Sequence, residues 1–240
     1  MKNIDYEVVI IGAGVIGLAI ANALSKQTDK SVLVIEKDQS FGRGISSRNS
    51  EVIHSGIYYK HNSLKAKHCI RGRELLYAYC KENSIWHKRC GKLIIAQDEE
   101  SDQIHKLYNN GIKNGLNNIK ILNRKQISKL EPGISGSSGL YIGCTGIVSV
   151  HELMQSFYNN SMNSNHDYLF KSSVLSSKKK SSSYLTTIIN PYENKEVVSS
   201  NWVINCAGLN SDILGKNMFD SPKIPIIEYS KGCYFSLSNK

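Results

Sequence analysis

The sequence is short of acid. Its 240 residues carry 20 Asp+Glu against 30 Lys+Arg, a formal net charge of +10. A pI near 9.2 suits anionic partners: a phosphate-bearing cofactor, an acidic substrate, a membrane surface or nucleic acid. Nucleic acid is disfavoured, because no RNA- or DNA-binding motif occurs and the basic residues do not cluster with aromatics. CxxC pairs are absent. The six cysteines, Cys69, Cys80, Cys90, Cys144, Cys206 and Cys233, lie at long spacings. The N-terminal stretch, with Asp5 and Glu7, lacks the basic-then-apolar order of a signal peptide. Reduced thiols in a cytoplasmic protein are therefore expected. No His/Cys/Asp/Glu group has metal-ligand spacing, so no metal is expected. Nor does GxSxG surround the serines of 46–50, which removes the hydrolase reading. The uncharged run 8–24 is shorter than the ~20 residues a membrane span takes, and Gly12, Gly14 and Gly17 interrupt it.

What remains is ordinary globular composition, 40% hydrophobic and 21% charged. Residues 8–11 form a β-branched run, a glycine turn follows, and Ile16, Ala19, Ile20, Ala23 and Leu24 recur at helical spacing. A second apolar run occupies 31–35. Strand, helix and strand in that order make a right-handed βαβ unit with parallel strands. Further on, Ser63 predicts a helix cap, with Leu64, Ile70, Leu75, Leu76 and Tyr79 as the apolar side of a helix to about Asn83. Residues 92–96 read as a strand, and Asp98 as the cap of a helix with Ile104, Leu107 and Tyr108 inward. Residues 111–118 read as turns, 124–131 as a short helix ended by Pro132, and 152–162 as another helix. Strand candidates at 173–176, 184–189 and 196–199 suggest an antiparallel meander. The Ser/Lys tract 171–183 reads as its hairpin loop, and 202–205 as a further strand.

The chemistry sits in two stretches. Gly12-Ala13-Gly14-Val15-Ile16-Gly17 follows a strand and opens a helix. Gly12 permits the tight turn, Gly14 lets a pyrophosphate approach the backbone, and Gly17 lets helix and strand pack. The helix N-terminus faces the phosphates, and Glu36, at the end of the next strand, can accept from ribose hydroxyls. The motif alone does not separate FAD from NAD; its place near the start of the chain favours FAD. The second stretch, residues 46–59, is dense in hydroxyl, amide and imidazole groups that can bond a pyrophosphate and ribityl chain.

These stretches, with 8–24, 46–69, 90–96, 145–153, 203–212 and 231–237, resemble the FAD-dependent oxidoreductases of the D-amino-acid-oxidase-like superfamily, and within it the L-2-hydroxyglutarate dehydrogenases/oxidases. The resemblance implies a Rossmann-like α/β FAD-binding domain, a parallel sheet with an antiparallel meander, over 1–81 and 144–222. It implies an α+β substrate domain over 82–143 and 223–240, with more of it expected beyond Lys240. By the same resemblance Gly12, Gly14, Gly17 and Glu36 hold the ADP half of FAD, and Val15, Ile16, Lys37 and Val174 join them. Ser46, Ser47, Asn49 and Ser50 line the pyrophosphate and flavin side, and Cys206, Ala207 and Gly208 make a second close approach. His54 is the candidate base, preferred to His151. Tyr58, Lys65 and Arg73 are candidate substrate contacts. Ser149 stands where the family commonly has Asp. The implied reaction passes the C2 hydride of an L-2-hydroxy acid, a small anion, to flavin N5, with a quinone or oxygen as electron acceptor. A quinone would fit peripheral association with the inner membrane. Glycerol-3-phosphate dehydrogenases, amine oxidases, an NAD enzyme, an inactive FAD-binding remnant and a basic nucleic-acid-binding protein are the competing readings.

Overall fold

The computed structural model describes residues 4–27, 29–218 and 224–233. In chain order it runs β1 (Tyr6–Ile11), α1 (Val15–Gln27), β2 (Val32–Ile35), β3 (Val52–Ile53), α2 (Leu64–Glu82), β4 (His87–Lys88), β5 (Lys92–Ala96), α3 (Ser101–Lys113), β6 (Ile119–Asn123), α4 (Arg124–Leu130), β7 (Ser138–Ile142), β8 (Gly146–Val148), α5 (Val150–Met162), β9 (His166–Leu169), β10 (Ser173–Lys180), β11 (Ser183–Ile189), β12 (Lys195–Asn205) and α6 (Ser211–Met218). The chain divides into two compact units, one within Met1–Asn49 and Met154–Lys240, the other Ser50–Leu153. The functional division expected from the sequence places residues 50–81 and 144–153 with the nucleotide half. In the structure they pack with the second unit. Of the expected 223–240 portion residues 224–233 are described, and most of the 231–237 block lies outside the described residues.

The first unit is built on a six-stranded sheet of order β10-β11-β12-β1-β2-β9. β12, β1, β2 and β9 are parallel, and β10-β11-β12 is an antiparallel meander. This is the α/β arrangement expected. Alternation along β1 and β2 explains the layers. Val9, Ile11, Leu33 and Ile35 join Ile188, Leu214 and Met218 in one core. Val8, Ile10, Val32 and Val34 are buried as well, and Ile10 lies beside Gly17 of α1. Strands buried on both sides read as continuous apolar runs, which is why these two were visible in the sequence.

In the second unit β5, β7 and β6 form an antiparallel sheet. Its core gathers Ala96, Ile104, Leu116, Ile119, Leu140 and Ile142 around Ile57. A smaller sheet pairs β8 with β3 and β4.

Several expectations need correction. The buried side of α1 is Gly17, Leu18, Ala21 and Asn22, while Ile16 and Ala23 are exposed; a helix apolar nearly all round does not mark its inner face. Ser63 does cap α2, accepting from the Ala66 amide at 3.2 Å. Its packed side, however, runs through Ala66, Arg73, Tyr77 and Cys80, and Leu64 and Leu75 are exposed. Asp98 starts a 3-10 turn and is not the cap of α3. Gly111 belongs to α3, where a Cβ would lie 2.6 Å from Ile57 Cδ1. The Ser/Lys tract is largely strand: β10 runs to Lys180, and Ser177 bonds Thr186 across the ladder at 2.9 Å. The strands expected at 196–199 and 202–205 are one, β12, which pairs with β11 along its first half and with β1 along its second.

Candidate functional site

The glycine turn between β1 and α1 is held from three sides. Gly12 has φ +105°, and its amide donates to Ile35 O at 2.8 Å. A Cβ there would lie 2.4 Å from Cys206 O, so only glycine lets the Cys206-Ala207 backbone approach. At Gly17 a Cβ would lie 1.9 Å from Gly12 O, which is what the close packing of helix on strand requires. At Gly14 the nearest neighbour would be Ser46 Oγ at 3.1 Å. That side of the turn is lined by the serine block. The Val15 amide donates to Ser46 Oγ at 2.9 Å, tying residues 45–47 to the first turn of α1.

Glu36 ends β2 with its carboxylate buried beside this turn. Oε2 accepts from the Ala13 amide at 2.8 Å and Oε1 from the Asp38 amide at 2.9 Å. Each oxygen keeps a lone pair for a further donor such as a ribose hydroxyl. The chain that leads to β10 is stitched to the same strand end: Glu36 N donates to Leu169 O, and Ser172 N to Glu36 O at 3.0 Å. Val174 follows, opposite Ile188, where the β10–β11 register shifts. The structure thus gathers Gly12, Gly14, Val15, Ile16, Gly17, Glu36, Ser46, Cys206 and Ala207 around one turn, with the Val174 strand leading from it. Lys37 points outward, 3.2 Å from Asp38. Ser47 Oγ donates to Gly44 O at 3.0 Å and Asn49 Nδ2 to Ser46 O at 2.8 Å, so both brace the serine block. Gly208, with φ +57°, opens the 3-10 turn after β12. Ser50 is exposed and begins the second unit.

The second unit holds a cavity of about 70 Å³ lined by His54, Ser55, Gly56, Ile57, Tyr58, Tyr59, Lys92 and Thr145. Register explains the assembly. Ile53 of β3 pairs Gly146 of β8, so His54 and Thr145 sit at the same end of that ladder. Gly91, just before Lys92, donates its amide to Thr145 O at 2.9 Å. The 55–59 turn is fixed by α3: Asn110 Nδ2 donates to Ile57 O at 2.7 Å and to Tyr59 O, and Asn114 Nδ2 to Gly56 O and Tyr59 O. Arg73 of α2, only 10% exposed, donates to Ser55 O at 3.1 Å and Cys144 Sγ at 3.2 Å. It braces the wall and is not part of the lining. Lys65 is exposed, 5.8 Å from the Tyr59 ring.

Partial burial, and next the Lys92 charge, push the His54 pKa below its ordinary 6.5. Its imidazole is therefore neutral at pH 7 and able to take a proton. Lys92 Nζ lies 4.7 Å from the Tyr58 ring centroid. The Thr145 hydroxyl is buried without a hydrogen-bond partner. Lys92, Thr145, Asn110 and Asn114 were not singled out from the sequence, although the first two stand inside the 90–96 and 145–153 blocks.

Against known proteins, the family model described as FAD dependent oxidoreductase (DAO) matches residues 7–240. The chain belongs to this family. The DAO chain is 35% identical to the mitochondrial L-2-hydroxyglutarate dehydrogenase of Arabidopsis thaliana over 97% of its own length and 54% of the relative's. It is 44% identical to the corresponding Dictyostelium discoideum protein over 65% of its length and 36% of the relative's. It thus spans about half, or less, of the curated relatives it matches. Among solved structures it resembles the dithionite-reduced L-alpha-glycerophosphate oxidase of Mycoplasma pneumoniae with FAD bound. There the TM-score is 0.81 and the identity 27%, over 89% of this chain and 56% of that one. FAD, the cofactor expected from the sequence, is the one named in both the family description and that structure. The cradle fits it: a glycine turn without side chains at Gly12, Gly14 and Gly17, the first turn of α1, and a buried carboxylate with acceptor capacity left. No helix among the described residues is long and apolar enough to cross a membrane.

Proposed function

We propose that this DAO-family protein oxidises an L-2-hydroxy acid, L-2-hydroxyglutarate foremost, to the 2-oxo acid. The observation that carries the reading is the cavity where neutral His54 stands beside cationic Lys92, in a chain 35% identical to an L-2-hydroxyglutarate dehydrogenase. FAD, when bound, supplies the two-electron acceptor for the C2 hydrogen. His54 takes the C2 hydroxyl proton, since a base working near neutral pH needs a pKa at or below it. Tyr58 at the rim shields the cavity from solvent, and Arg73 holds the Ser55 carbonyl that fixes the His54 backbone. Lys65, exposed by the rim, attracts the anion from solution. Gly12, Gly14, Gly17 and Glu36 receive the ADP half, and Lys37, Ser47, Asn49, Ser50, Val174 and Gly208 border the rest of the cofactor. In functional terms 1–81 and 144–222 serve the cofactor, and 82–143 with 223–240 the substrate. A quinone or oxygen takes the electrons onward. With a net charge of +10, a cytoplasmic protein would approach an anionic membrane surface closely enough to meet a quinone.

The second reading is oxidation of glycerol 3-phosphate, favoured by the likeness to the Mycoplasma oxidase. Anaerobic spectra of the FAD-loaded protein separate the two. Bleaching of the flavin band by L-2-hydroxyglutarate, and not by the D-acid or glycerol 3-phosphate, supports the first. Bleaching by glycerol 3-phosphate alone supports the second and sinks the first.

A further inference from the structure

The cavity of the second unit contains two groups for which the reading above gives no task. Lys92 has a cationic head over the Tyr58 ring. Among the described residues no carboxylate lies within ion-pair distance of it. Thr145, 3% exposed, has a hydroxyl with no partner. A buried hydroxyl left unbonded costs on the order of 1–3 kcal/mol, so such atoms ask for a ligand or a reason. Both groups line one recess with His54, across the β3–β8 register and the Gly91–Thr145 hydrogen bond. An uncompensated cation and a free hydroxyl donor are the two things an oxyanion needs.

We propose that Lys92 and Thr145 form the subsite for the substrate carboxylate adjacent to the reacting carbon, the C1 carboxylate of a 2-hydroxy acid, and not for a distal acid group. The inference rests on the proposed function for the identity of the reacting carbon. The geometry chooses the near carboxylate: Lys92 and Thr145 line the same recess as His54, and Thr145 and His54 sit at one end of the β3–β8 ladder, so an anion held by this pair lies next to the hydroxyl that His54 serves. Specificity for a second carboxylate must then come from elsewhere, and Lys92 provides for the shared head of all 2-hydroxy acids.

The test uses Lys92→Met, which keeps the aliphatic stem against Tyr58, Lys92→Arg, and Thr145→Val, which keeps the shape without the hydroxyl. In flavin-reduction assays Lys92→Met should raise KM about 10- to 100-fold, the loss typical of a charge-assisted hydrogen bond. The factor should be the same for L-2-hydroxyglutarate and L-2-hydroxybutyrate, and Lys92→Arg should recover most of it. Thr145→Val should weaken both substrates by about 3- to 10-fold while leaving the melting temperature unchanged or higher, because an unsatisfied buried hydroxyl is gone. A loss confined to the diacid would overturn the assignment, as would no loss at all. If no 2-hydroxy acid reduces the flavin, the proposed function fails, and the subsite is read by 2-oxobutyrate binding instead. Shifts of the His54 ring signals in NMR that vanish in Lys92→Met sustain it. Shifts that persist in that variant, or their absence in the unaltered protein, refute it.

Discussion

Gly14 and Gly17 stand three residues apart and should fail in different ways. A methyl at Gly17 meets a backbone carbonyl at 1.9 Å, which no side-chain rotation relieves. Gly17→Ala should therefore cost at least the roughly 1–3 kcal/mol of an overpacked core, seen as a lowered urea midpoint, and should abolish FAD binding with it. At Gly14 the neighbour is the Ser46 hydroxyl at 3.1 Å, a side chain that need shift only by a few tenths of an ångström and can keep its bond from the Val15 amide. Gly14→Ala should keep the unaltered midpoint and still weaken FAD binding, because the methyl stands where the pyrophosphate must approach. A common loss of stability in both variants would show that Gly14 is there for packing. His54 gives a second prediction at this scale. Burial and Lys92 both lower its pKa from 6.5; the Cys69 thiol donates to its carbonyl oxygen at 3.5 Å, and Tyr58 and Tyr59 line the same cavity. The neutral base is the form above the pKa, so kcat/KM should rise with pH through a value under 6.5 and then level. In Lys92→Met one of the two causes is gone, and the acid limb should move up toward 6.5. An unmoved limb would mean that another group carries the proton.

At the scale of elements, α3 supports the cavity with two asparagine amides that hold four carbonyl contacts of the 55–59 turn. Asn114 is buried, so Asn114→Ala strands polar atoms and should cost about 1–3 kcal/mol. Asn110→Ala, at a half-buried position, should cost less stability while lowering the rate of flavin reduction, since the turn that carries Tyr58 loosens. Equal rates in wild type and Asn110→Ala would leave that amide a purely structural role. In β9 the buried His166 accepts at Nδ1 from Ser161 Oγ, 2.7 Å away, whose other neighbour Tyr168 donates to it. Nε2 then carries the proton and has no partner. Burial holds this imidazole below 6.5, with Asp167 opposing. The unfolded chain binds the proton first as pH falls, so stability should drop below about pH 6.5, by at most about 1.4 kcal/mol per pH unit for one proton. His54 acts in the same direction, and His166→Gln should remove only part of the slope. An unchanged slope would place the acid sensitivity elsewhere.

The same elements show what could be read from the sequence. β1 and β2 were legible because strands buried on both sides are apolar without interruption. The packed side of α2 was not, because it uses Ala66, Arg73 and Cys80 where periodicity sought leucines. β10 was hidden by its lysines. As the edge strand it needs apolar side chains on few positions, and charge there discourages pairing with another chain. The local geometry at the glycine turn was legible, since a glycine turn, a helix start and an acid at a strand end are local signals. The cavity was half legible: His54 and Tyr58 lie within one dense stretch, whereas Lys92, Thr145 and the two asparagines reach it only through strand register and helix packing.

For the molecule as a whole, the central claim is the proposal that the turn and Glu36 receive the adenosine diphosphate half of FAD. Isothermal titration of the chain with FAD, FMN and ADP addresses it directly. The account predicts that FAD binds, that ADP competes with it, and that FMN, which lacks the ADP half, binds at least about 100-fold more weakly, the worth of two or more lost hydrogen bonds. Glu36→Gln should weaken FAD and ADP by the same factor. FMN binding as tightly as FAD, or FAD that ADP does not displace, would contradict the assignment of the cradle.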